Sequence, residues 1–95
     1  MHIENLIQNY IAENLLFCSN GYEYNNDASF LKEGIIDSMG VMELVTFVSD
    51  TFGIQVEPYE VLPENFDSVN KLAAFIRRKK AGINQNASLL MAEAV

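Results

Sequence analysis

Ser38 is the hydroxyl best placed for chemistry in this chain, because it follows Asp37 at the point where a helical pattern begins. Asp is a strong N-cap residue, and its charge suits the positive end of a helix dipole. Backbone N–H groups of a first turn point outward, so an anion attached to the Ser38 hydroxyl would meet both those donors and the dipole. Catalysis by the chain itself has little to build on. The one histidine, His2, lies at a terminus, so no Ser–His or Cys–His pair assembles. Cys18, the one cysteine, has no basic neighbour in sequence to activate it and no partner for an internal disulfide, and reads as a buried or loop thiol. There is no CxxC or Cys/His cluster of the zinc kind and no glycine-rich phosphate loop. These residues do not make a self-sufficient catalyst.

The elements that must position Ser38 follow from apolar spacing. Ile3, Leu6, Ile7, Tyr10, Ile11 and Leu15 form a one-sided stripe, which predicts a first helix running to about Leu16. Turn formers at Ser19-Asn20-Gly21 and Asn25-Asn26-Asp27 then define a long connection reaching Gly34. Phe30, Leu31, Ile35 and Ile36 predict that this loop packs back on the core. From Asp37-Ser38 a second helix is expected, with Val41, Leu44, Val45, Val48 and Phe52 inward and Gly53 as its stop. The piece from Glu57 to Leu62, closed by Pro63, has room for one or two helical turns. Asp67-Ser68 caps a last helix with Val69, Leu72, Ala73 and Ile76 inward. Its basic end, Arg77 to Lys80, reads as helix termination and solubility. Alternation is confined to Gly53–Glu57, which is too short to argue for a sheet. The expected fold is all-α: a four-helix bundle with three longer helices, a short third helix and a long first loop. Residues 1–80 form the domain, and 81–95 a tail, either disordered or a short helix.

At 95 residues, 49% hydrophobic and 20% charged, the chain has the composition of one small globular domain. Its net charge of −7 is unevenly placed: residues 1–70 hold twelve acids against Lys32 alone. Such a field repels phosphate backbones and attracts basic protein surfaces, so nucleic-acid binding is excluded in favour of protein docking. No basic region followed by an apolar block marks a signal peptide, and no apolar run approaches the roughly 20 residues that span a bilayer. A monomer in a reducing, cytoplasmic setting is the expectation. Around Ser38, helical geometry puts Met39, Met42, Glu43, Thr46 and Asp50 on the face turned from the core stripe. Soft apolar side chains mixed with acids suit the docking of several partners in turn.

The stretch Phe30 to Phe52, with Ile36-Asp37-Ser38-Met39 at its centre, and the later Phe66-Asp67-Ser68-Val69-Asn70-Lys71-Leu72 resemble the acyl or peptidyl carrier proteins. The likeness covers roughly residues 3–80. Asp-Ser alone is an ordinary helix cap; its place after a long loop and before this stripe makes the pattern specific. The resemblance implies a four-helix bundle carrying 4′-phosphopantetheine on Ser38, with Asp37 helping to present the serine to a phosphopantetheinyl transferase. It implies partner contacts at Met39, Met42, Glu43 and Thr46, and a role that is delivery, not catalysis. The arm's thiol would hold an acyl or aminoacyl group as a thioester for enzymes of lipid (including fatty acid), polyketide or peptide-type biosynthesis. A loading ligase and an acyltransferase or synthase are the partners implied. Gly40 stands where fatty-acid carriers usually place an acid, and Ser49 and Thr51 interrupt the acidic end of the helix. Asp37-Ser38-Met39-Gly40 is similar instead to D-alanyl or peptidyl carriers loaded by adenylating ligases. An unmodified acidic helical adapter, binding one protein through the same face, is the alternative from another class.

Overall fold

A computed structural model describes residues 2–82 of the chain. Helix α1 spans Ile3–Tyr10 and runs on as a π-helical turn over Ile11–Leu15; α2 spans Ser38–Phe52, α3 Pro63–Phe66 and α4 Val69–Lys80. A 3-10 turn covers Pro58–Glu60, and the described residues contain no strand. The expected all-α, four-helix architecture is what the described residues adopt, with the short helix third. Reading residues 81–95 as a separate tail falls, past Gly82, outside the described residues.

Helix directions follow from contacts at their ends. Arg77 in the last turn of α4 grips Glu4 in the first turn of α1 through two hydrogen bonds, 2.7 and 2.8 Å, so these helices are antiparallel. Lys80 Nζ donates to the Phe52 carbonyl at 3.4 Å, which joins the ends of α2 and α4 and makes them parallel. The expected stripes supply the core: Ile7, Ile11, Leu44, Val48, Val69, Leu72, Ala73 and Ile76 are buried. Val41, Val45 and Phe52 pack against it half-buried. Phe75 is buried as well, tilted against Phe66 with ring centroids 5.3 Å apart; its place one residue before Ile76 hid it from a periodic reading. Tyr10 and Phe47 stack at 4.1 Å between α1 and α2.

The π-turn ends α1 with the Cys18 N–H bonded to the Ala12 carbonyl at 2.7 Å. That closure puts Phe17 at φ 53°, an uncommon conformation for a residue other than glycine. Cys18 is half-buried, its sulfur 3.7 Å from a Glu23 carboxylate oxygen. The long loop then folds over the end where α2 and α4 begin, and it is held there. Gln8 Nε2 donates to Asn26 Oδ1 at 2.6 Å, the Asn70 N–H to the Asn26 carbonyl at 3.0 Å, and Asn70 Nδ2 to Asp27 Oδ1 at 2.6 Å. Phe30, Ile35 and Ile36 are buried, as their sequence predicts, whereas Leu31 is exposed. Burying Phe30 alone stabilises the anchored loop by about 1.5–3 kcal/mol.

Three local expectations are corrected. Pro63 does not close the short helical piece; it opens α3, where a missing N–H is no loss and a fixed φ is preorganised. Asp67 does not share the capping of α4 with Ser68. The buried Ser68 hydroxyl alone accepts the Lys71 N–H, at 3.0 Å, while the Asp67 carboxylate turns to the loop. There it accepts the Ser29 hydroxyl and the Leu31 N–H (3.1 Å). The basic end of α4 is not merely a terminus: Arg77 binds Glu4, Arg78 donates to Asn65 Oδ1 at 3.0 Å, and Lys79 pairs with Glu60.

Candidate functional site

Ser38 is the first residue of α2 and is exposed to solvent. Asp37 precedes it with extended backbone, and its Oδ1 accepts the Gly40 N–H at 2.8 Å. That bond satisfies one of the donors a helix start leaves unpaired and fixes where the helix begins. The Ser38 side chain projects from this fixed turn.

Gly40, two residues on, is buried against Ile36. A Cβ placed there would stand 2.2 Å from Ile36 Cγ2, so the first turn of α2 rests directly on that isoleucine. An acidic side chain has no room at this position. The departure noted in the sequence is thus a packing feature of the helix start.

Beside Ser38 lies an apolar groove of about 220 Å³, lined by Leu31, Val41, Met42, Val61, Leu62, Pro63 and Phe66 with Ser38 and Asp67 as polar members. Loop, α2 and the segment leading into α3 each supply a wall. Of the residues singled out in the sequence, Ser38 and Met42 meet in this groove. Met39 and Met42 are 78% and 58% exposed, which rules out their being core filler. Glu43 looks the other way, toward α1, where its charge adds to burial in raising the Tyr10 phenol above its usual pKa. Thr46 is exposed, its hydroxyl 3.4 Å from the Met42 carbonyl, and Asp50 is exposed further along. The expected docking face therefore divides, with Met42 on the groove side, Glu43 on the α1 side and Met39 exposed in the first turn.

Sequence reasoning missed the far wall of the groove. Val61 and Leu62 stand in front of Pro63 as an apolar pair, and that pair was the available signal. Reading Pro63 as a stop separated them from α3, to which they lead.

Among the described residues no group of His, Cys, Asp and Glu is arranged to hold a metal ion, and no helix is long and apolar enough to cross a membrane. The family described as "Phosphopantetheine attachment site" matches residues 6–76. The chain is 28% identical over 57 residues to a D-alanyl carrier protein of Abiotrophia defectiva, covering 60% of this chain and 72% of that one. It is 35% identical over 54 residues to a D-alanyl carrier protein of Lactococcus lactis subsp. lactis, covering 57% and 68% respectively. A D-alanyl carrier protein of Lactococcus lactis subsp. cremoris is 34% identical over 53 residues, covering 56% and 67%. With a helical bundle, a capped α2 and a family match over most of its length, the chain belongs to the phosphopantetheine-binding carrier proteins, which hold 4′-phosphopantetheine covalently.

Proposed function

We propose that the arm is attached at Ser38 Oγ, and that the protein carries a small aminoacyl group, D-alanine being the first candidate. The observation that carries the attachment site is an exposed hydroxyl at a capped helix start opening onto an apolar groove. The residues fit such a group. A phosphodiester on Ser38 meets the outward N–H donors of α2, and Leu31, Met42, Val61 and Leu62 offer an apolar bed for a slender flexible chain. When attached, the arm supplies a terminal thiol for acyl or aminoacyl cargo.

The chain's own residues do the positioning. Asp37 holds the helix start, so Ser38 is presented at a fixed place to the phosphopantetheinyl transferase. Met39 and Met42 give that enzyme and a loading ligase an apolar contact, while Glu43 steers basic surfaces toward it. Contacts of this size release readily, which suits a protein that passes its cargo on to an acyltransferase or synthase. D-alanyl cargo is supported by the similarity to D-alanyl carrier proteins and by Gly40, which denies the helix the acid usual in fatty-acid carriers. A cytoplasmic setting belongs to the same proposal and rests on a single unpaired cysteine.

The test is intact mass after incubation with coenzyme A, magnesium and a broad-specificity phosphopantetheinyl transferase. One phosphopantetheine is expected on the wild type and none on Ser38→Ala. Addition to Ser38→Ala would move the site elsewhere; no addition to wild type, with the transferase active on a control carrier, would favour the unmodified adapter. Offering the arm-bearing protein D-alanine and a D-alanine-activating ligase then tests the cargo by a second mass increment.

A further inference from the structure

The far wall of the Ser38 groove is built from residues that apolar burial alone does not hold. The Pro58–Glu60 turn has no buried residue, and Leu62 is exposed. Beyond the Asn65 and Phe66 N–H bonds to the Leu62 carbonyl, both 2.9 Å, polar side chains tie the segment from behind, out of α4. Lys79 Nζ donates to both carboxylate oxygens of Glu60, at 3.0 and 3.2 Å, and the two side chains are only 12% and 13% exposed. Glu60 Oε1 also accepts the Glu57 N–H at 2.9 Å, which closes the turn on itself. The Glu60 carbonyl accepts Asn65 Nδ2 at 2.9 Å, and Asn65 in turn accepts from Arg78. Lys79 further sits 5.9 Å from the Phe75 ring centroid, so its ammonium is fixed from the core side. Directly after this clamped residue come Val61, Leu62 and Pro63, the groove wall across from Ser38.

We propose that Lys79 is a positioning residue for the groove: through Glu60 it sets where Val61 and Leu62 stand opposite Ser38, and so how well an enzyme reaching Ser38 is received. The inference rests on Ser38 being the attachment site. Lys79 is not itself a lining residue. It acts by tying the Glu60 end of this segment to α4, while backbone bonds tie its Leu62 end to α3. Removing one partner of a nearly buried ion pair leaves the other uncompensated, so Glu60 would seek water and take the wall with it.

The experiment uses the full chain with the phosphopantetheinyl transferase and coenzyme A. Lys79→Met keeps the length and the packing but removes the charge. It is expected to raise the KM for the carrier about tenfold with kcat within about twofold, the pattern of lost uniform binding. Carbon-13 methyl resonances of Val61 and Leu62 in the unmodified protein should move with it. Lys79→Arg, able to bind the carboxylate with two donors, should restore both readouts. Should Lys79→Met fail to fold, Glu60→Gln replaces it and is expected to shift both readouts in the same direction. Unmoved methyl resonances and an unchanged KM in a folded variant would overturn the proposal, as would a lowered melting temperature with neither readout changed. A wild type that accepts no arm would defeat the attachment reading instead, while the methyl resonances still report on Lys79.

Discussion

At Gly40 two effects of opposite sign meet. Replacing a helix glycine by alanine ordinarily stabilises, by up to about 1 kcal/mol. Here the new methyl would stand 2.2 Å from Ile36 Cγ2, an atom on a stiff, β-branched side chain that has little room to turn. Overpacking of that kind costs about 1–3 kcal/mol, so Gly40→Ala is expected to destabilise by ~1 kcal/mol net in urea unfolding. Ile36→Ala removes the obstructing methyl, and on that background the same Gly40→Ala change should turn stabilising. Tyr22 offers a second single-residue test, because its hydroxyl is buried with no hydrogen-bond partner among the described residues. Tyr22→Phe removes an unpaired polar atom and keeps the ring, so it should be neutral or stabilising by up to ~1 kcal/mol. Burial, and then the nearby Tyr24, push the Tyr22 phenol up to about 12 from its ordinary 10. The folded state thus keeps a proton that the unfolded chain gives up, and stability falls as pH rises past 10 toward 12. Urea midpoints at pH 8 and pH 11 should show that loss in wild type and a smaller one in Tyr22→Phe.

Pairing of elements gives the acid side of the profile. The Arg77 hydrogen bonds, with a smaller backbone contribution within α1, hold Glu4 at about 2 against an ordinary value of 4.5. A depressed carboxyl contributes stability that is fully present above about pH 4.5 and lost as pH falls toward 2. Arg77 is half exposed, so solvent and salt keep this contribution small. Glu4→Gln is expected to lower the urea midpoint slightly at pH 7 and to match wild type near pH 2. The same scale shows what the sequence made legible. Stripes such as Ile7–Ile11 and Leu44–Val48, and the caps Asp37 and Gly53, are local in sequence, so α1 and α2 could be placed from them. The helix start at Ser38, on which the proposed attachment rests, is legible for the same reason. The groove wall was not, since Pro63 serves equally as a stop or a start, and the difference lies in a contact with α4 nineteen residues after Glu60. Nor does any one-dimensional pattern show that Asp67 serves the loop while Ser68 caps α4.

At the scale of the whole molecule, the cations that end α4 are spent internally, while Lys32 and Lys71 are exposed. Arg77, Arg78, Lys79 and Lys80 each bond to another element, so the basic end of α4 joins α1, the α3 segment and the end of α2. The acids of the first seventy residues outnumber those cations, and most of them face solvent, a field that would attract basic surfaces. Rigidity is concentrated behind Ser38, in the clamped loop, the Gly40 contact and the α4 bonds, while the serine itself stands at the rim. A tether rooted there has a stationary origin and swings through the open half-space in front of the helix. On the proposed attachment, the reach of delivery is then set by the length of the tether.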